Sequence, residues 1–90
     1  MNLKNKKILI TGATGGIGNS LVEKFNNLGS TIVASGTNEE KLNNLKKKFS
    51  NIHTESFKLD NHNKIEEFIE KIDSKLGGID VLVNNAGITL

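Results

Sequence analysis

The 90-residue chain contains no cysteine, proline, tryptophan, tyrosine or arginine. Without cysteine it has neither a disulfide framework nor a thiolate metal site. No apolar run approaches the roughly 18 residues that a membrane-crossing helix needs. The basic start, Met1 to Lys7, leads only into Ile8-Leu9-Ile10, too short for the core of a secretory leader. Without arginine, any bound anion must be held by backbone N–H groups, hydroxyls or the point charges of lysine. The lack of tyrosine removes one general acid from whatever chemistry the chain could perform. What remains is globular in character, with 36% hydrophobic and 24% charged residues. All 12 basic residues are lysine, they are spread along the chain, and the net charge is only +2. That balance predicts a cytoplasmic protein with no nucleic-acid and no membrane partner.

The apolar pattern alternates between short β-branched runs and longer helical stripes. Lys7–Thr11 reads as a buried strand that ends at a glycine cluster. Ile17, Leu21, Val22, Phe25 and Leu28 then share one helical face, and Gly29 closes that helix. Thr31–Ser35 reads as a second strand. Asn38 offers an N-cap to a second helix, with Glu39 and Glu40 at its positive end and Leu42, Leu45 and Phe49 as its stripe. A third strand is expected over Thr54–Leu59. Ile65, Phe68, Ile69, Ile72 and Leu76 mark a third helix, stopped by Gly77-Gly78, and Ile79–Val83 reads as a fourth strand. The four phenylalanines are expected in the core, and Lys46-Lys47-Lys48 as a solvated helix end. His53 and His62 lack a ligand cluster around them, so no metal site is expected.

Alternating β-α-β-α-β-α-β with short connections predicts an α/β fold with a doubly wound parallel sheet. The expected strand order is 3-2-1-4, with the reversal beside the first strand. A parallel strand such as Ile79–Val83 expects cover on both faces. Residues 1–90 are therefore expected to be the N-terminal part of a single domain, truncated before a catalytic segment.

Three motifs lie where strands end. Thr11-Gly12-Ala13-Thr14-Gly15-Gly16-Ile17-Gly18 joins the first strand to the first helix. Its Gly-x-x-x-Gly-x-Gly spacing departs from the GxGxxG dinucleotide fingerprint, but the physics is shared. Gly12 permits a tight turn, Gly16 lets backbone approach a pyrophosphate, and Gly18 lets the helix pack close to the strand. No Gly-Lys-Ser/Thr follows, which excludes a P-loop. The second motif, Ser35-Gly36-Thr37, stands where NAD-binding domains usually carry an acid for the ribose 2′-hydroxyl. Its lack of an acid and its two hydroxyls favour NADP(H), with NAD as the alternative. The third, Asn84-Asn85-Ala86-Gly87, directly follows the fourth strand.

Together with Asp60 after the third strand, these motifs resemble the short-chain dehydrogenase/reductase family over the whole chain. Asn84-Asn85-Ala86-Gly87 selects the short branch over the extended one. Asn85–Thr89 and Gly36–Leu42 look like the 3-oxoacyl-[acyl-carrier-protein] reductases of fatty-acid synthesis. The resemblance implies a Rossmann-type fold and a cofactor site. In it Gly12, Ala13, Thr14, Gly15, Gly16, Ile17 and Gly18 serve the pyrophosphate and ribose, and Thr37 the 2′-phosphate. Asp60 and Asn61 would hold the adenine edge, and Asn85, Ala86 and Gly87 the ribose side. Many NADP-dependent members carry a basic residue where this chain has Gly15. Asp60 has a second reading as the N-cap of the third helix.

The resemblance also implies hydride transfer from NADPH to a carbonyl, carried on acyl-carrier protein or otherwise. A tyrosine would be the general acid, a lysine four residues later would lower its pKa, and a serine would polarise the carbonyl. This chain has no tyrosine, so no catalytic residue is assigned and the chain alone is expected to be inactive. The enzyme reading belongs to a longer parent, for which a homo-oligomer is expected. The competing reading is a non-catalytic nucleotide-binding module, or a fragment of another short-chain dehydrogenase.

Overall fold

The computed structural model describes residues 2–57 and 62–85. The elements are β1 (Lys7–Thr11), α1 (Gly16–Asn27), β2 (Thr31–Gly36), α2 (Glu39–Lys48), β3 (His53–Ser56), α3 (His62–Leu76) and β4 (Val81–Asn84). The four strands form one sheet in the order β3-β2-β1-β4, and every pairing is parallel. The sheet order and the β/α alternation are those expected from the sequence. The order reverses between β1 and β4, so the crevice of a doubly wound sheet opens at the C-terminal ends of these two strands.

Period-2 alternation along the strands divides the core. Ile8, Ile10, Ile32 and Ala34 pack with Val22 of α1, Leu45 of α2 and Ile52. Leu9 and Val33 point to the opposite face, onto Phe68 and Ile72 of α3. There the rings of Phe57 and Phe68 stack with centroids 4.3 Å apart. Burial on both faces explains why β1 and β2 read as near-continuous apolar runs.

Local chemistry sets the helix ends. Asn38 caps α2, its side-chain oxygen accepting from the Lys41 N–H at 3.0 Å. After α1, Gly29 takes φ +82°, a left-handed conformation that favours glycine, and the Ser30 N–H returns to the Phe25 carbonyl. Gly77 and Gly78, with φ +74° and +128°, stop α3. The Asp80 carboxylate then accepts from the Lys7 N–H at 2.8 Å, while the Asp80 N–H donates to the Lys7 carbonyl.

Several boundaries differ from the sequence reading. β3 runs His53–Ser56 rather than from Thr54 towards Leu59, because it pairs only with β2, whose last paired residue is Gly36. Leu59 lies outside the described residues. β4 runs Val81–Asn84 rather than Ile79–Val83, since the Asp80–Lys7 clasp precedes the ladder and Asn84 pairs with Thr11. Ile17 and Leu28 do not belong to the packed stripe of α1. They sit at its two ends, 69% and 46% exposed.

Candidate functional site

Thr11 ends β1 nearly buried, and its hydroxyl joins the first strand to the fourth. Oγ1 donates to Asn84 Oδ1 at 3.0 Å, with the Val83 carbonyl 3.4 Å away, and accepts from the Asn85 N–H at 3.1 Å. The chain then turns through Gly12 at φ +64°. The Gly12 carbonyl accepts from the Asn85 side-chain amide at 3.1 Å, and the Ala13 N–H donates to the Ser35 carbonyl at 2.9 Å. The loop is thus braced by β4 on one side and β2 on the other.

Gly18 lies in the first turn of α1, directly against this loop. A Cβ there would stand 2.2 Å from the Gly12 carbonyl oxygen and 2.7 Å from the Ala13 Cα. Both neighbours are backbone and cannot swing aside, so only glycine fits. Gly16 is the opposite case, with nothing within 4 Å of a Cβ. Gly18 serves close packing of the helix on the loop, as its spacing predicted, while the space beside Gly16 is open.

The positive end of α1 is chemically bare. Its N-cap is Gly15, which supplies no side-chain hydrogen bond, and its first turn carries no acid. The N–H groups of the first turn have no intrahelical acceptor. They converge with the helix dipole on the exposed side of Gly15, Gly16 and Ile17. A cradle of backbone donors that no side chain fills or neutralises fits a phosphate diester.

At the end of β2, Ser35 is 2% exposed. Alternation turns it to the α3 side with Val33, so its hydroxyl is buried, whereas the sequence reading counted it as a donor favouring NADP(H). Thr37 is exposed. Between them, a Cβ on Gly36 would meet Thr14 Cγ2 at 3.1 Å and Oγ1 at 3.2 Å. The missing side chain at 36 therefore lets Thr14 lie over the end of β2.

Of the expected site residues, Gly12 to Gly18, Thr37 and Asn85 gather at the C-terminal edge of β1, β2 and β4. Asp60, Asn61, Ala86 and Gly87 lie outside the described residues. The role of Thr11 was missed. Its only signal was a hydroxyl at the end of one inner strand and an amide at the end of another, with no local cue that they meet.

A strand, a glycine turn and an unneutralised helix N-terminus beside the reversal point define a dinucleotide-type α/β fold. The family model described as short chain dehydrogenase matches residues 6–90. The chain belongs to the short-chain dehydrogenase family. The 3-oxoacyl-[acyl-carrier-protein] reductase FabG of Thermotoga maritima is 40% identical over 93 residues, covering 99% of this chain and 38% of that protein. The reductase of the same name from Aquifex aeolicus is 36% identical over 94 residues, with the same coverage. The NADP-dependent 3-hydroxy acid dehydrogenase YdfG of Escherichia coli (strain K12) is 34% identical over 84 residues, covering 92% of this chain and 34% of that protein. The crystal structure of a short chain dehydrogenase from Bacillus anthracis superposes with a TM-score of 0.84 at 34% identity, over 96% of this chain and 36% of that one. The chain thus spans less than two fifths of the length of these curated relatives.

Proposed function

We propose that the chain is the N-terminal, NADP(H)-binding part of an oxidoreductase that reduces 3-oxoacyl-[acyl-carrier-protein] to the 3-hydroxyacyl form. The observation that carries the reading is the bare N-terminus of α1, set against Gly12 by a glycine that no other residue could replace. The loop, Gly12 to Gly18, holds the pyrophosphate through backbone N–H groups and the helix dipole. Thr11 and Asn85 keep it in register with β4, so the ribose side of the cofactor meets a fixed edge. Thr37, at the surface beyond β2, faces the adenosine ribose, and no acid stands in Ser35-Gly36-Thr37 to repel a 2′-phosphate. By the family resemblance, Asp60 and Asn61 serve the adenine, and Ala86 and Gly87 join Asn85 as cofactor-binding residues. The nicotinamide supplies the hydride when the cofactor is bound.

Relatives named as acyl-carrier-protein reductases and as an NADP-dependent dehydrogenase support the substrate class and the cofactor. Fatty-acid synthesis in the cytoplasm is the matching setting, with the full-length protein as a homo-oligomer. Among the described residues no helix is long and apolar enough to cross a membrane. The 90-residue chain supplies binding but no proton donor, and on this reading it is inactive alone. Its lack of tyrosine also supports a second reading, a non-catalytic nucleotide-binding module. A Tyr-x-x-x-Lys in the downstream reading frame favours the enzyme, and a stop codon after Leu90 favours the module.

Titration of the full-length protein with NADPH and NADH tests the cofactor. NADPH is expected to bind more tightly, and tighter binding of NADH would overturn the preference. Consumption of NADPH with a 3-oxoacyl thioester tests the reaction.

A further inference from the structure

Parallel strands and the helices that join them run in opposite senses, so each helix here ends at the edge where the strands begin. That edge lies opposite the glycine loop. Lys24 stands in the last turn of α1, Lys46, Lys47 and Lys48 in that of α2, and Lys4 and Lys6 just before β1. Each of these lysines is exposed. Hydrogen bonds join the segments that carry them into one surface. The Asn5 N–H donates to the Gly29 carbonyl at 2.9 Å, and the Ser30 hydroxyl to the Leu3 carbonyl at 2.8 Å. The Asn51 side-chain amide donates to Asn26 Oδ1 at 2.9 Å, which ties the turn after α2 to the end of α1.

Lys46 and Lys48 are engaged within the surface. Lys46 donates to the Ile52 carbonyl, and the Lys48 ammonium lies over the Phe49 ring, 5.4 Å from its centroid. Among the described residues the ammonium groups of Lys4, Lys6, Lys24 and Lys47 enter no hydrogen bond or ion pair. Glu23, Asp73 and Asp80 are the acids towards this edge, and the Asp80 carboxylate is taken up by the Lys7 N–H. Glu39 and Glu40 stand at the opposite edge, in the first turn of α2. Lysine in a last helical turn offsets the dipole. That role does not account for Lys4 and Lys6, which precede a strand. Leu28 lies within the basic surface and is 46% exposed. Lys24 is one turn before it, and the Lys4 side chain runs beside Gly29, with Cγ 3.3 Å from where a Cβ there would stand.

We propose that this edge docks on the surface of an anionic phospholipid bilayer, with the free lysines against the headgroups and Leu28 at the boundary below them. The net charge of +2 and the spread of lysine along the sequence pointed away from such a partner. The fold gathers at one edge what the sequence disperses. Each lysine near an anionic leaflet adds to the attraction, and an apolar side chain among cations takes hold at the headgroup boundary. Nucleic acid suits the surface less well. The chain has no arginine to fork a phosphate and no tyrosine or tryptophan to stack a base, and Phe25 and Phe49 pack on the core. Docking in this way leaves the glycine loop facing away from the bilayer.

The experiment is cosedimentation of the full-length protein with phosphatidylcholine vesicles, with and without phosphatidylglycerol, over a range of salt. Binding is expected only where phosphatidylglycerol is present, and it should fall as salt rises. Lys24→Gln and Lys47→Gln should each weaken partition by roughly fivefold. Leu28→Ser should weaken it by roughly threefold and leave the salt dependence unchanged. Lys64→Gln, in the first turn of α3 towards the opposite edge, is the control and should bind as wild type. All four sites are exposed, so the variants should fold, which matching thermal melts would check. A wild type that ignores phosphatidylglycerol vesicles at low salt overturns the proposal. So does undiminished binding by the Lys24→Gln, Lys47→Gln double variant. Retention on polyuridylate without retention on vesicles would give the surface to nucleic acid and overturn it as well.

Discussion

The N-termini of α1 and α2 lie at the same edge of the sheet and are built in opposite ways. α2 is self-sufficient. Asn38 accepts from the Lys41 N–H, and Glu39 and Glu40 sit in the first turn where their charges offset the dipole. α1 begins at Gly15 with no side-chain cap and no acid, yet it is seated closely on the preceding loop, through Gly18 against Gly12. A helix that forgoes its own capping while being held rigidly leaves its donors available to something else. The comparison separates a helix start that serves its own stability, at α2, from one that the proposed function assigns to recognition, at α1.

The largest effect should come from removing the seat of α1. Gly18→Ala places a Cβ 2.2 Å from a backbone oxygen. It should cost about 3 kcal/mol or more through forced backbone movement, read by urea unfolding. Gly15→Asp sharpens the comparison by giving α1 the cap it lacks. A Cβ at Gly15 has its nearest neighbour at 3.8 Å, so the residue fits. Stability should hold or rise by a few tenths of a kcal/mol, while NADPH affinity in the full-length protein falls at least about tenfold. Asn38→Ala is the reciprocal change. It should lower stability by about 1 kcal/mol and leave the NADPH dissociation constant within about twofold of wild type.

A smaller effect is expected at the sheet edge. Glu55 of β3 is paired with Lys75 at 2.9 Å and Lys71 at 3.2 Å, both on α3. The hydrogen bond from Lys75 leads, with that from Lys71, in holding its carboxyl below the ordinary glutamate range, against a partial opposing effect of burial. A depressed carboxyl pKa stabilises the folded state above the unfolded value, and the contribution is lost as pH falls through the folded value. Both lysines are largely exposed, so Glu55→Gln should cost less than about 1 kcal/mol at neutral pH. The gap between the variant and wild type should close below the glutamate range, as thermal melts across pH would show.

Much of this architecture was legible in residue order because its causes are local. The apolar runs of β1 and β2, the Asn38 cap and the period of Phe68 and Ile72 each act within a few residues. The Gly18 contact was also readable, because a strand–turn–helix of that spacing has to bring the helix onto the loop. What escaped were features set by distant partners. β3 stops where β2 runs out of paired backbone, and Ile17, on the apolar stripe in sequence, is exposed at the start of α1. Ser35 was read as a hydroxyl donor to the cofactor because alternation fixes a face only once the register is known. The Thr11–Asn84–Asn85 brace joins residues more than 70 positions apart, and nothing in either segment announces the other.

The claim that the bare end of α1 is the binding element can be tested amide by amide. Hydrogen exchange of the full-length protein, with and without saturating NADPH, should show new protection concentrated at Gly16, Ile17 and Gly18. Glu39 and Glu40 at the start of α2 should change little. NADPH binding that leaves the three α1 amides exchanging as before would contradict the account.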